Sequence, residues 1–574
     1  MSEAETTKPV EEPKEAITKS KRERFPIRMF AFSVVITALI VLVQVFISEF
    51  VDFTRIAPDF ANVLSYGLIL IVWLAWVIWA LFFCKQSFLF RFAFLCVLVG
   101  GPIAFFVGLR PVNDGDAGIS RFEPIWRSNR VVPIEVDSSD SPVDLKTETP
   151  NDFAEFLGNR RDGIVRGQAN LADDAVSSAQ LVWKQEVGEG WSGFAARNGF
   201  AVTMEQRGEY ECVTCYEIES GKLRWLYKHK TRHRDAMNLG RLGPRATPTI
   251  HEGRVYAVGA MGNVVCLDGS TGEFVWQKDL LDLLGIKTQS HKDRGYQYQY
   301  EVSPLAWGRS GSPLIVDDTV VVTGGGPRPP FPEDGQDPDS IETDFVTLLA
   351  FDKETGEERW RSGDEMIAYG SPSLATLCGR RQILLVAESK ALGFDAKTGE
   401  LLWEHDREGS SEAAANCSQV TVISDDTILL TKGYNMGGEL VEVRNDSGGF
   451  ETETLEANTR TLKTKLTSPV VHDGYAYSLS DGFLECTEVD SLARKWKKRG
   501  RFGHGQMLLC GDKLLVHSET GQLFLVKASP DKYQELGKIK TIKGVCWNTL
   551  CRFGDYLLVR SELEAACIRL VTEP

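Results

Sequence analysis

The segment AFDKETGEERW, residues 350–360, recurs without gaps as GFDAKTGELLW at residues 393–403. Both copies place an aspartate eight residues before the tryptophan, a threonine five residues before it and a glycine four residues before it. Two further copies, CYEIESGKLRW at 215–225 and CLDGSTGEFVW at 266–276, keep an acid, a hydroxyl and a glycine at these positions, while CTEVDSLARKW at 486–496 lacks the glycine. A pattern that returns at a fixed phase indicates a structural repeat.

A tight turn between two strands explains the residue types in this pattern. The acid and the hydroxyl accept hydrogen bonds from turn amides, and the glycine adopts the positive φ that closes such turns. The tryptophan lies on the outgoing strand, where its flat ring can pack against the next repeat. We therefore predict that the acids build turns rather than bind ligands, and that structural roles belong to Trp183, Trp225, Trp276, Trp360, Trp403, Trp496, Gly221, Gly272, Gly356 and Gly399.

Each repeat also contains apolar β-type runs upstream of the turn, such as Arg254–Val258 and Ile383–Ala387. A Thr-Pro or Ser-Pro pair before such runs, as at Thr247, opens one more strand, because proline is tolerated at a first strand position. Four-stranded units of about 40 to 50 residues indicate propeller blades. The last unit, Val545–Val571, lacks a tryptophan strand, which the isolated strand around Trp183 can supply. The sequence thus predicts an all-β, eight-bladed propeller of four-stranded antiparallel blades.

The repeat resembles that of the PQQ-repeat propeller family, which includes quinoprotein alcohol dehydrogenases and BamB-type proteins. The resemblance covers roughly residues 152–572 and rests on the repeated acid, Thr, Gly and Trp positions. It implies the propeller fold and leaves the function open, because one fold hosts many functions.

Three apolar stretches precede the repeats: Met29–Ile47, Ala61–Cys84 and Phe92–Leu109. Each stretch lacks charged residues and approaches the ~20 residues that cross a bilayer as a helix. Basic residues precede the first stretch, and the positive-inside tendency then places the N-terminus in the cytoplasm and the repeats outside.

We expect four parts: a charged cytoplasmic tail at 1–28, a three-helix transmembrane anchor at 29–110, a flexible linker at 111–150 and the propeller at 151–574. The expected location is the inner membrane, with the propeller in the periplasm.

Composition excludes some functions. The net charge of −15 argues against nucleic-acid binding, which needs a basic surface. Eight histidines without a metal-ligand spacing argue against a zinc site, and we predict no metal.

The family's quinoprotein enzymes imply a chamber in which PQQ lies between a tryptophan and two adjacent disulfide-bonded cysteines, beside a calcium ion. This chain has 12 cysteines but no adjacent pair and no CxxCH motif for haem. Cys215, Cys266 and Cys486 occupy the small position ten residues before their tryptophans, which predicts buried thiols. A redox role for Cys212 and Cys215 is an alternative. We predict no cofactor and no catalytic residue; PQQ and calcium belong only to the enzyme alternative.

Three long connections, 226–247, 277–312 and 324–344, emerge on one face over the first three blades. Long loops in compact domains are often functional. The first two carry a basic and aromatic set that we predict to bind a partner or ligand: Arg232, His233, Arg234, Arg241, Arg245, Tyr296, Tyr298, Tyr300, Trp307 and Arg309. The third is acidic, and mutual neutralisation of these loops is the alternative.

These observations favour a non-catalytic, membrane-anchored binding or scaffold platform in the cell envelope, with envelope proteins or cell-wall components as partners. A divergent PQQ-dependent oxidoreductase is the first alternative. A sensor whose ligand alters the three helices is the second.

Overall fold

The computed structural model describes residues 27–50, 58–113, 119–124, 132, 142–233, 242–286, 307–326, 344–409, 415–446 and 448–573. The chain forms two compact units. One contains most of the N-terminal helical region, and the other contains the sheets.

The helical region has three apolar segments. The first is the α-helix Ile27–Phe50, and the second is the α-helix Pro58–Ile78, which continues as a π-helix at Trp79–Phe83. The third consists of the α-helix Phe88–Leu95, the π-helix Cys96–Gly100 and the α-helix Gly101–Gly108. Each segment contains at least 18 residues with a mean hydropathy above 2, which is long and apolar enough to cross a membrane. Indole groups join the segments: Trp73 Nε1 donates to the carbonyl oxygen of Leu98 at 2.8 Å, and Trp76 Nε1 donates to Ser33 Oγ at 2.9 Å. The predicted three membrane helices are confirmed.

The other unit contains eight antiparallel blades, whose strands we call A to D from the axis outward. Blades 1 and 2 comprise Ala195–Arg197, Phe200–Arg207, Tyr210–Glu217 and Leu223–His229, then Thr249–His251, Arg254–Val258, Asn263–Asp268 and Phe274–Asp279. Blades 3 and 4 comprise Leu314–Val316, Thr319–Gly325, Val346–Asp352 and Glu358–Ser362, then Ser373–Leu377, Arg380–Val386, Lys390–Asp395 and Leu401–Asp406. A short helix, Leu280–Leu283, follows blade 2.

Blades 5 and 6 comprise Thr421–Val422, Thr427–Lys432, Gly437–Asp446 and Gly449–Asn458, then Val470–His472, Tyr475–Ser480, Phe483–Glu488 and Arg494–Lys497. Blade 7 comprises Gln506–Cys510, Lys513–His517, Gln522–Lys527 and Glu535–Lys540, with Ile164–Val165 added parallel to its A strand. Blade 8 comprises Cys551–Phe553, Tyr556–Arg560, Glu564–Arg569 and, as its D strand, Gln180–Glu186. Two further strands, Leu109–Asn113 and Ile119–Pro124, pair with each other.

The ring closes as the sequence predicted. Gln180–Glu186 pairs antiparallel with Glu564–Arg569, and Trp183 lies opposite Cys567. The first strand of the propeller therefore completes the last blade, and the eight-bladed prediction is confirmed.

The repeated acids build the turns between the C and D strands. In blade 2, Asp268 Oδ1 accepts hydrogen bonds from the amides of Ser270 at 3.0 Å and Thr271 at 3.2 Å. Asp352 and Asp395 make the same pair of bonds in blades 3 and 4. The predicted role of the acids is thus the one observed.

A second set of contacts joins the blades near the axis, where the Thr-Pro and Ser-Pro pairs lie. The amide of Gly193 donates to Thr247 Oγ1 at 3.1 Å, and the amide of Thr247 donates to Ser312 Oγ at 2.9 Å. In the same way, the backbone amide of Ser312 donates to Ser371 Oγ at 3.0 Å. Each hydroxyl therefore bonds the blade that precedes it in the chain.

Because D–A and B–C connections emerge on one face, we call it the loop face and the opposite one the turn face. The segment Phe153–Gln168, here the axial segment, crosses the axis on the turn face. Phe153 pairs with Ala196 of blade 1, and the amide of Ile250 in blade 2 donates to the carbonyl oxygen of Ala154 at 2.8 Å. Gly163 accepts a hydrogen bond from the amide of Leu509 in blade 7 at 2.8 Å.

Arg161 is the centre of the axial segment. Its side chain is 2% exposed and forms an ion pair with Glu155, with Nε 2.6 Å from Oε2. The guanidinium donates to the carbonyl oxygens of Ser312 at 3.1 Å and Pro372 at 2.9 Å, and also to that of Pro313. One side chain therefore joins the start of blade 3 to the start of blade 4.

The chain just before the axial segment also packs on the propeller. Val143 and Leu145 are buried in the cluster that contains Val202 of blade 1 and Val255 of blade 2. The remaining residues between 125 and 141, apart from Val132, lie outside the described part of the chain.

Candidate functional site

The predicted binding residues fall into two groups. Arg234, Arg241, Tyr296, Tyr298 and Tyr300 lie outside the described residues. The structure places Arg232, His233, Arg245, Trp307 and Arg309 in the D–A connections before blades 2 and 3, on the loop face.

Arg309 is the most buried of these side chains, with 0% of its surface exposed. Its Nη1 donates to the carbonyl oxygens of Thr323, at 3.3 Å, and Gly324, which end the B strand of blade 3. Within the described part of the chain, Nε and Nη2 have no hydrogen-bond partner. Burial lowers the pKa of Arg309 to about 10, opposed by Asp279, so the side chain stays charged at neutral pH. A buried guanidinium with open N–H groups favours an anionic acceptor.

His233 packs beside Arg309 through the glycine between Trp307 and Arg309. Gly308 has a φ of +81°, and a Cβ built on it would lie 3.0 Å from Nε2 of His233, so glycine suits this close approach. The ring is 2% exposed, and its Nε2 has no hydrogen-bond partner among the described residues. Burial and the charge of Arg245 lower the pKa of His233 well below its ordinary value, so the ring is neutral at pH 7.

Trp307 adds an aromatic surface next to these groups. Its ring lies 5.4 Å from that of Tyr369, and its amide donates to the Tyr369 hydroxyl at 3.2 Å. The indole Nε1 is buried without a hydrogen-bond partner in the described structure. We call the open N–H groups of Trp307 and Arg309, which lie beside the ring of His233, the donor cluster.

A buried carboxyl lies on the blade 1 side of the donor cluster. Glu211 is 3% exposed and its Oε2 accepts a hydrogen bond from the amide of Ala260 at 3.1 Å. Burial raises the pKa of Glu211 to about 7, although this hydrogen bond and the charge of Arg245 lower it. Sequence reasoning missed Glu211 and Tyr369, since neither lies in a motif.

Arg232 is directed toward a different neighbour. Its Nη1 lies 2.8 Å from Oε1 of Glu209, a residue of the turn between the B and C strands of blade 1. The structure therefore brings His233, Trp307 and Arg309 together. Arg245 is close enough to lower the pKa of His233. Arg232 instead pairs with Glu209.

The sequence lacks one part of the quinoprotein chamber that the family resemblance implies, the adjacent cysteine pair. All 12 cysteines are free thiols, and the sequence has no adjacent pair to form the disulfide ring. Among the described residues, no three His, Cys, Asp or Glu side chains are grouped so that they could hold a metal ion. Burial raises the pKa of Cys212 and Cys215, which makes both thiols poor nucleophiles.

The profile of the family described as outer membrane protein assembly factor BamB matches residues 172–328 and 306–531. This chain belongs to that family. No curated protein matches the chain at the sequence level.

Solved structures similar to this BamB-family chain include a BamB protein and quinohemoprotein alcohol dehydrogenases. BamB from Moraxella catarrhalis is 13% identical, with a TM-score of 0.43 over 68% of this chain and 97% of that one. A quinohemoprotein alcohol dehydrogenase from Pseudomonas putida HK5 is 13% identical, with a TM-score of 0.50 over 76% of this chain and 84% of that one. The enzyme of the same class from Comamonas testosteroni is 12% identical, with a TM-score of 0.49 over 75% and 82%. At such identities the likeness concerns the fold alone.

Proposed function

We propose that this BamB-family chain is a non-catalytic, membrane-anchored binding platform of the cell envelope, and that its loop face at blades 2 and 3 receives an acidic group of a partner protein. The observation that carries the proposal is the donor cluster. Three buried N–H donors, Nε and Nη2 of Arg309 and Nε1 of Trp307, have no hydrogen-bond partner among the described residues.

Leaving such groups unsatisfied costs about 1–3 kcal/mol each, so an acceptor brought by a partner would stabilise the bound state. A carboxylate fits these groups because it offers two acceptor oxygens and a charge opposite to that of Arg309. The ring of Trp307 adds apolar contact beside the charge, and buried aromatic and arginine side chains dominate most binding interfaces.

The axial segment supports the choice of face. It crosses the axis on the turn face and bonds to the A strands of blades 1, 2 and 7, with Arg161 in the middle. A partner that approaches the axis therefore does so from the loop face. The inner membrane and the periplasm, which the positive-inside tendency favours, belong to the same proposal.

The test is photo-crosslinking of the full-length protein in its own membrane, with the crosslinker at Ser310, which follows Arg309. Trp307→Phe combined with Arg309→Lys keeps a ring and a charge but removes the indole N–H and the guanidinium fork. We expect the yield of the crosslinked partner to fall about tenfold, the change that 1.4 kcal/mol of binding energy produces.

Trp360→Phe is the matched control, because Trp360 Nε1 is also buried without a hydrogen-bond partner in the described structure but lies on the D strand of blade 3. This control should leave the yield unchanged. Equal yields from all three proteins would exclude the donor cluster as the binding site.

A further inference from the structure

Six of the eight residues from Arg494 to Arg501 are basic, in a chain whose net charge is −15. They form the D strand of blade 6 and the connection that follows it. Further lysines lie on and after the D strand of blade 7. We call this surface the basic rim: Lys495, Lys497, Lys498, Arg499, Arg501, Lys538, Lys540 and Lys543.

The two blades present these charges as one surface because they are joined at Trp496. Its Nε1 donates to the carbonyl oxygen of Ser529 in blade 7 at 2.8 Å, and its ring lies 5.9 Å from that of Tyr533. Lys498 of blade 6 lies over the same Tyr533 ring, with Nζ 5.0 Å from the ring centre.

Aromatic rings beneath the basic rim hold several of its cations in place. Lys497 Nζ lies 4.3 Å from the centre of the Phe483 ring, and Lys538 Nζ lies 5.8 Å from that of Phe524. A cation over a ring face is attracted to it yet keeps its outer side in water. The rings thus help to position these charges at the surface.

Four of the eight cations of the basic rim make no salt bridge within the described residues. Within the described residues, Lys495 is 3.9 Å from Glu488 and Lys538 is 3.1 Å from Glu535, whereas no salt bridge involves Lys498, Arg499, Lys540 or Lys543. Arg499, Lys540 and Lys543 are exposed. The neighbouring D strand, in blade 5, carries the opposite charge, with Glu451, Glu453 and Glu456.

We propose that the basic rim docks on an anionic membrane surface, through the phosphates of acidic phospholipids. The charges are spread over two strands at the edge of the propeller, which fits a flat layer of headgroups better than a single small ligand. The chain also carries three segments able to cross a membrane. Because these segments belong to the same chain as the propeller, a bilayer that they enter is present near the propeller at a high effective concentration.

Because the same chain carries the membrane-spanning segments, acidic phospholipid is favoured over a soluble polyanion as the ligand of the basic rim. The acidic remainder of the propeller is repelled by the same lipids, so the basic rim is the edge that turns toward them. This proposal concerns a different surface from the donor cluster and does not depend on it.

The test is lysine footprinting of the full-length protein in nanodiscs, by acetylation and mass spectrometry. We expect Lys498, Lys538, Lys540 and Lys543 to react about threefold more slowly in nanodiscs with phosphatidylglycerol than in phosphatidylcholine alone, and about 0.5 M salt to abolish the difference. Lys184 and Lys397, exposed in blades 8 and 4, should react equally in both.

Variants identify the surface. Lys498→Glu, Arg499→Glu and Lys540→Glu together should remove the protection of Lys538 and Lys543. The matched triple variant Lys184→Glu, Arg361→Glu and Lys397→Glu should retain it. Equal labelling of the wild-type protein in both nanodiscs overturns the proposal. So does protection that appears only when soluble polyphosphate is added, which would assign the basic rim to a polyanionic polymer.

Discussion

Trp276 donates a hydrogen bond from its indole Nε1 to the carbonyl oxygen of Lys353 at 3.0 Å, which bonds the D strand of blade 2 to the turn of blade 3. The same ring covers Gly356 of that turn, where a Cβ would lie 2.7 Å from it. Equivalent contacts join Trp183 to Gly221, Trp225 to Gly272 and Trp360 to Gly399. The repeated tryptophan and glycine are thus two halves of one contact between consecutive blades.

Replacing this glycine tests the contact. Gly356→Ala places a methyl group against the Trp276 ring and also strains a backbone with φ of +72°. Gly379→Ala is the control, because Gly379 has φ of +73° and no atom within 4 Å of its Cβ position. Strain at positive φ costs about 1–2 kcal/mol in both variants. We expect Gly356→Ala to lower the free energy of unfolding by about 1–3 kcal/mol more, measured by denaturant titration in detergent. Equal losses would show that the ring moves aside.

Arg161 offers a test of the axial segment. Arg161→Ala removes hydrogen bonds to the starts of blades 3 and 4 and leaves Glu155 without its ion pair. We expect the free energy of unfolding to fall by about 3 kcal/mol, the lower end for breaking a buried pair. The exposed neighbour Arg160 provides the control, and Arg160→Ala should change the same quantity by less than about 0.5 kcal/mol. Similar stability of both variants would show that the axial segment is held by other contacts.

Glu211 predicts a specific pH dependence. Its pKa in the folded protein is raised to about 7 from 4.5, chiefly by burial. Between these pH values the folded protein holds a proton that the unfolded chain has lost, so the free energy of unfolding falls as pH rises. The fall is complete above pH 7 and is on the order of 3 kcal/mol.

Glu211→Gln removes this titration. Between pH 4 and pH 8 the free energy of unfolding of the wild type should fall relative to that of the variant. The variant should therefore gain in relative stability as the pH rises. A difference that stays constant over this range would mean that the Glu211 carboxyl titrates normally.

Much of the fold could be predicted from the sequence because the deciding interactions are local. The acid, hydroxyl and glycine of each turn lie within a few residues, and the missing last strand of blade 8 points directly to the strand around Trp183. Blade 5 has no such turn, and its contact with blade 4 uses other chemistry. Glu439 accepts from Arg407 Nη1 at 2.8 Å and lies 3.1 Å from His405 Nε2, residues without a recurring spacing.

The candidate site was only partly predictable. Trp307 and Arg309 stand out as aromatic and basic residues in a long connection, but their burial depends on Gly324 and Tyr369, which are distant in the sequence. The role of Arg161 could not be predicted for the same reason, because its acceptors at Ser312 and Pro372 come together only in the closed ring. Long-range contacts of this kind leave no local pattern.

The most direct test of the central claim, a binding platform rather than an enzyme, is a titration of the full-length protein in detergent with PQQ and calcium. We predict no bound quinone absorbance and no reduction of an electron-accepting dye with alcohols or sugars as substrates. Stoichiometric PQQ binding with turnover would contradict the account and identify the chain as a quinoprotein oxidoreductase with an unusual chamber.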